Sequence, residues 1–178
     1  AEIVEGLNPD DTADLKERGR RVRQLFLDAE FPDDLRAEIW WGYKELGRRL
    51  GVKDPSVAIR SSATSEDLDG ASFAGQHETI LNVRNEDMVL RAIKQCFASL
   101  FTDRAIAYRR HKGFSQGDNA LSVGVQHMVR SDIACSGVMF TLDTESGFDG
   151  VVYITGSWGL GEMIVQGAVN PDQFYVFK

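Results

Sequence analysis

Apolar positions along this chain change period several times, and the changes mark the elements. Leu15, Val22, Leu25 and Phe26 fall on one helical face, with Arg18, Arg20, Arg21 and Arg23 elsewhere. Asp10, Asp11 and Thr12 are three candidate N-caps, and the pattern does not choose among them. The basic cluster reads as a solvated helix face; contact with a nucleotide or partner is the sharper alternative. Phe31-Pro32-Asp33 breaks the pattern, and Pro32 suits the first turn of a new helix. Leu35, Ile39, Tyr43, Leu46 and Leu50 then predict a second amphipathic helix over 32–50. Trp40 and Trp41 are adjacent and cannot both face one core, so at least one meets another layer or a part of the protein outside this chain. Gly51 stops the helix, and Asp54-Pro55 turns the chain into a strand.

The next stretch reads strand, loop, strand. Val57, Ala58 and Ile59 deliver Arg60, Ser61 and Ser62, a polar loop of small residues follows, and Thr79–Val83 leads out. Asn85 caps a third helix with Met88, Ala92, Ile93, Cys96, Phe97 and Leu100 as its apolar stripe. Thr102 or Asp103 opens a fourth, which carries Ile106 and Tyr108 among basic residues and His111 at its basic end. Residues 113–119 read as a surface loop. Leu121, Val123, Val125, His127 and Val129 alternate with Ser122, Gly124, Gln126 and Met128, a strand pattern. Further strands are predicted over 134–142, 151–155 and 173–178, with a turn-rich loop at 144–150 and a second Gly-rich segment at 156–162. Helices come first and locally pairing strands follow, so the fold class is α+β rather than alternating βαβ.

The loop after Arg60 carries the candidate chemistry. Gly70 and Gly75 let backbone approach a ligand closely, and successive free amides in such a turn form an anion-binding concavity. Ser61, Ser62, Thr64 and Ser72 add hydroxyl donors, and Arg60 adds a planar fork suited to phosphate oxygens. Phe73 would anchor the loop or cover a ligand. The plainer reading is an ordinary small-residue loop in which Arg60 pairs with Glu66 or Asp67. Neither the Walker pattern nor the dinucleotide fingerprint occurs.

Charge narrows the partners. A net charge of −7 argues against a general nucleic-acid or anionic-membrane binder, so positive charge for a phosphate ligand must be focused locally. No apolar run approaches ~18 residues, so no membrane span is expected. Cys96 and Cys135 stand in no metal-ligand spacing and read as reduced, buried thiols of a cytosolic protein. The opening residues look like an arbitrary start, which suggests a piece of a longer chain.

Three blocks together are more specific than any of these features. They are Arg60-Ser61-Ser62-Ala63-Thr64 with Glu66-Asp67 and Ala71-Ser72-Phe73-Ala74-Gly75-Gln76; Phe97-Ala98-Ser99-Leu100-Phe101 with Asp103-Arg104-Ala105; and Gly159-Leu160-Gly161-Glu162 with Val165-Gln166-Gly167 and Asn170-Pro171-Asp172. In these blocks the chain resembles the N-terminal nucleotide-binding domain of the pyruvate phosphate dikinase family, over about residues 15–178. His77 stands where many members have glutamine, which bears on the loop's fine geometry.

The resemblance implies an incomplete ATP-grasp-like domain that binds ATP with Mg2+ between two α+β lobes. Residues 1–55 would be its helical N-terminal part and 56–178 the grasp part with the Gly-rich phosphate loop. It implies conversion of ATP, pyruvate and water to AMP, phosphoenolpyruvate and phosphate, through a phosphohistidine on a swivelling domain that, like the pyruvate barrel, lies outside this chain. Pyruvate and that histidine domain are thus the implied partners, in a cytoplasmic homo-oligomer without nucleic acid or membrane; the isolated segment is expected to be inactive. By resemblance Arg60 contacts ATP phosphates and stabilises charge in transfer, Gly75 presents backbone to them, Thr79 contacts them after the loop, and Gln126 faces the nucleoside. The family's lysine falls upstream of Ala1, and its metal-binding acidic residues fall downstream of Lys178, so no metal ligand is assigned. None of His77, His111 and His127 sits in the phosphohistidine motif. The rivals are a related dikinase or antibiotic phosphotransferase with the same domain, and a non-catalytic module whose Gly-rich loops bind a protein partner.

Overall fold

Asp11 settles the choice of first cap. Its carboxylate accepts the amides of Ala13 and Asp14, and α1 runs over Thr12–Asp28. The computed structural model describes Ile3 and residues 11–63, 67–68, 71–72, 78–113 and 120–178. Gly70, Phe73, Gly75, His77 and most of the loop at 113–119 lie outside the described residues. The chain divides into two units, Ala1–Met128 and Val129–Lys178.

In the first unit α1 buries Leu15 and Val22 against α3 and α4, and Phe26 stacks on Phe101. Leu25 departs from the expected stripe and is exposed. At 100° per residue it points about 80° away from Leu15, whereas Val22 and Phe26 lie within about 20° of it. The basic residues are mostly locked in local pairs, Arg18 with Asp14 and Arg20 with Glu17, while Arg23 reaches Asp103 and the Phe101 carbonyl.

Helix α2 covers Asp33–Leu50 and ends as expected at Gly51, whose φ of 66° is the left-handed cap. The amides of Gly51 and Val52 return to the carbonyls of Arg48 and Gly47 in a Schellman arrangement. Tyr43 is buried and Trp40 stacks on it at 5.7 Å, while Trp41 turns outward. Leu35 and Leu50, at the ends of the stripe, are more exposed than its centre.

Strand β1, Val57–Ala63, is the middle of a three-stranded antiparallel sheet. Its neighbours are β4, Thr79–Val83, and β5, Leu121–His127. Between β1 and β4 lies a two-residue ladder of β2, Asp67–Leu68, with β3, Ala71–Ser72, inside the stretch read as loop. Helix α3, Glu86–Ser99, is capped by the Asn85 side chain on the Met88 amide. It packs Val89, Ala92, Ile93 and Cys96 on Val57, Ile59 and Val83, with Tyr43 closing the cluster. Met88 lies at the margin of that stripe and is exposed. Helix α4, Asp103–His111, is capped by Thr102 and buries Ile106 against Leu15.

The second unit is a meander of β6, Cys135–Phe140, β7, Val151–Trp158, and β8, Asp172–Phe177, preceded by a 3-10 turn at Ser131–Ile133. A short helix α5, Glu162–Val165, joins β7 to β8. Strand β7 runs further than the pattern predicts, so part of the second Gly-rich segment is strand and the turn begins at Gly159. Cys135 corrects the reading of two buried thiols: it opens β6 opposite Trp158 at the end of the sheet, and both are exposed. The architecture is α+β, as expected. Among the described residues no helix is long and apolar enough to cross a membrane.

Candidate functional site

Strand alternation sorts β1 into two faces. Val57 and Ile59 face the core, so Ala58, Arg60 and Ser62 face the other way. The register then fixes what joins them. Arg60 stands between Thr79 on β4 and Gly124 on β5, Ala58 is opposite Gln126, and Ser62 is opposite Ser122. Arg60, Thr79 and Gln126 therefore share one sheet face, although they lie far apart in sequence. All three are exposed. The register also slips by one residue between the Val57–Val83 and Ile59–Ile80 pairs, with Asn82 at φ 57°. That extra residue in β4 lets both Ile80 and Val83 point to the core while Thr79 stays beside Arg60.

The surroundings of the guanidinium are polar and small. Arg60 Nη1 donates to Gln126 Oε1 at 3.3 Å, and among the described residues Arg60 makes no ion pair. Glu66 and the side chain of Asp67 lie outside them. Ser61, grouped above with the phosphate donors, alternates to the side of Val123, and its hydroxyl reaches the Glu78 carbonyl at 3.5 Å. Ser62 stays on the Arg60 face. Gly75 lies outside the described residues, so three of the four expected contacts are placed together.

The face is held from beneath. The Cys96 thiol points between β1 and β4, 3.7 Å from the Ile59 carbonyl and 3.5 Å from the Glu78 carbonyl. Those two residues immediately precede Arg60 and Thr79. Burial, and secondarily the Glu78 charge, push this thiol up to about 11. It is a neutral peg, not a nucleophile. Sequence reading gave Cys96 a core position without this link to the site.

The opposite side of the sheet offers a different cavity. A groove of about 580 Å³ runs between α2 and β5, lined by Phe31, Ile39, Leu46, Phe97, Val123 and Val125 among others. Its walls are mostly apolar, whereas a polyphosphate needs donors and positive charge. Gly124 is the position that sequence reading missed. A lone glycine in an alternating strand was its only signal.

Comparisons with known proteins identify the family. Residues 1–178 match the family model described as pyruvate phosphate dikinase, AMP/ATP-binding domain. The chain is 58% identical over 172 residues to a phosphoenolpyruvate synthase of Neisseria meningitidis serogroup B, a match covering 97% of this chain and 22% of the relative. It is 55% identical over 177 residues to that of Escherichia coli K12, covering 99% and 22% respectively. It is 45% identical over 177 residues to a probable phosphoenolpyruvate synthase of Pyrococcus horikoshii, covering 99% and 21%. The chain thus spans about a fifth of the length of these relatives. With the family model matched from end to end, the chain belongs to the pyruvate phosphate dikinase AMP/ATP-binding domain family.

Proposed function

We propose that this chain is the ATP-binding part of a phosphoenolpyruvate synthase and that the Arg60 face is its phosphate-gripping surface. The observation that carries the reading is the convergence of Arg60, Thr79 and Gln126 on one exposed face. Identity of 45–58% over almost the whole chain to proteins of that name supports the choice within the family. The fold would be one portion of an ATP-grasp domain, with 1–55 as its helical part and 56–178 as its grasp part.

Each residue has a defined task. The Arg60 guanidinium presents parallel N–H donors to phosphate oxygens and neutralises charge that builds as the terminal phosphates leave. The Thr79 hydroxyl, directly across from it, donates to the same group. Gln126 turns an amide toward the nucleoside, and Gly75 presents backbone amides within the Gly-rich loop. The acceptor is a histidine on another domain, which loses one phosphate to water and carries the other to pyruvate. In this domain the chemistry is positioning and charge neutralisation. Among the described residues no group of three or more His, Cys, Asp or Glu is placed to hold a metal. The role given to these residues is toward the nucleotide itself.

The test is Arg60→Ala in the full-length enzyme, followed by AMP formation with pyruvate as acceptor. Turnover should fall roughly tenfold or more, equivalent to about 1.4 kcal/mol of transition-state stabilisation. Unchanged steady-state kinetics would remove Arg60 from the mechanism.

A further inference from the structure

Arg60 has two lateral neighbours of very different bulk. Thr79 on β4 carries a branched side chain, while Gly124 on β5 carries none. Neither backbone conformation nor packing explains this glycine. Gly124 is not among the glycines with positive φ, and a Cβ added there would meet only the Arg60 carbonyl, at 3.8 Å. What the glycine does provide is a bare lane across the sheet beside Arg60. The arginine uses it: its Nη1 reaches Gln126, the diagonal neighbour two residues further along β5. A guanidinium has donors only, so the amide must offer its oxygen and turn its NH2 outward.

We propose that Gln126 is a positioning residue for Arg60, with Gly124 as the gap that lets the arginine lie against it. This rests on the proposed role of Arg60 in gripping ATP phosphates and adds how its direction is set. A free arginine side chain samples many rotamers, and freezing them on binding costs affinity and alignment. One hydrogen bond to a β-strand amide removes much of that freedom in advance. It occupies one of five guanidinium N–H groups and leaves the rest for a phosphate. The same amide would then join the nucleoside end of the site to the phosphate end.

The experiment is a double-mutant cycle in the full-length enzyme, comparing wild type, Arg60→Ala, Gln126→Ala and the double variant. The readouts are kcat and KM for Mg-ATP with pyruvate, and binding of adenosine as a probe without phosphates. Gln126→Ala should lower kcat about fivefold when Arg60 is present and have no further effect on kcat when Arg60 is alanine. Gly124→Val, which fills the lane and suits a strand, should lower kcat similarly while adenosine binds as in wild type. Equal losses in both backgrounds, or a Gln126→Ala enzyme altered only in adenosine binding, would overturn the positioning role while leaving the phosphate grip of Arg60 intact. An Arg60→Ala enzyme with wild-type turnover would instead overturn the proposed function, and the positioning role with it.

Discussion

Replacing Tyr43 by phenylalanine removes one oxygen and two hydrogen bonds. The hydroxyl donates to the Pro55 carbonyl at 2.8 Å and accepts the Asn85 amide at 3.1 Å. Pro55 leads into β1 and Asn85 caps α3, so one atom of α2 ties together the strand that carries Arg60 and the helix beneath it. Phenylalanine keeps the ring, its place in the core and its stacking on Trp40. The two partners differ in what they lose. Pro55 is fully buried, so its carbonyl stays without a partner. Asn85 is exposed, and its amide can recruit water. An orphaned buried group costs about 1–3 kcal/mol and a replaced bond about 0.5–1 kcal/mol, partly offset by not burying a hydroxyl, for a net loss of about 2 kcal/mol. The assay is amide exchange read peptide by peptide, which isolates this region within a longer chain. Local opening of Glu86–Ser99 should become about 30-fold more frequent, the factor equivalent to about 2 kcal/mol. Exchange within about twofold of wild type would show that the hydroxyl braces nothing and that ring packing alone holds the three elements.

Two further changes probe the same framework. Cys96 is raised to about 11 by burial, so its neutral form belongs to the folded state. That contribution is complete below the ordinary thiol value near 9 and is lost as pH rises from there through 11. The stability gap between wild type and Cys96→Ala should therefore narrow by about 2 kcal/mol between about pH 8 and about pH 10.5, measured by denaturant titration; a constant gap would contradict this. Gly47→Ala would place a Cβ 2.6 Å from the Val52 carbonyl oxygen and 3.2 Å from Pro55 Cδ, inside the turn that ends α2. It should lower the thermal midpoint by about 6 °C, equivalent to about 2 kcal/mol, and an unchanged or higher midpoint would show that the turn yields freely.

Where a local rule had no competitor, the sequence was enough. Gly51 and Asn85 were read from cap chemistry alone, and the bounds of β4 from alternation. Periodicity failed at the edges of stripes, where a side chain's direction is set but the breadth of its cover is not. Leu25 and Met88 have core-like spacing, yet the packed neighbours do not extend over them. Cys135 failed for a related reason, since apolar surroundings in sequence say little about the open end of a sheet. The lateral neighbours of Arg60 were beyond reach for another reason. Which residues of β4 and β5 flank it depends on register, and the slip at Asn82 changes register without any proline or glycine to announce it.

That dependence constrains how the site can vary. Arg60 points outward because Val57 and Ile59 point inward, and a slip of one residue in β1 would exchange the two faces. The core is therefore what aims the guanidinium. Val57 and Ile59 are wholly buried beneath α3, so inverting the strand would expose both and bury a charge. Aliphatic exchange at Val57 or Ile59 can alter stability without redirecting Arg60, whereas bulk at Gly124 can redirect it with little effect on the core. The two kinds of change act on opposite faces of a single strand, so the core and the direction of Arg60 can be perturbed separately here.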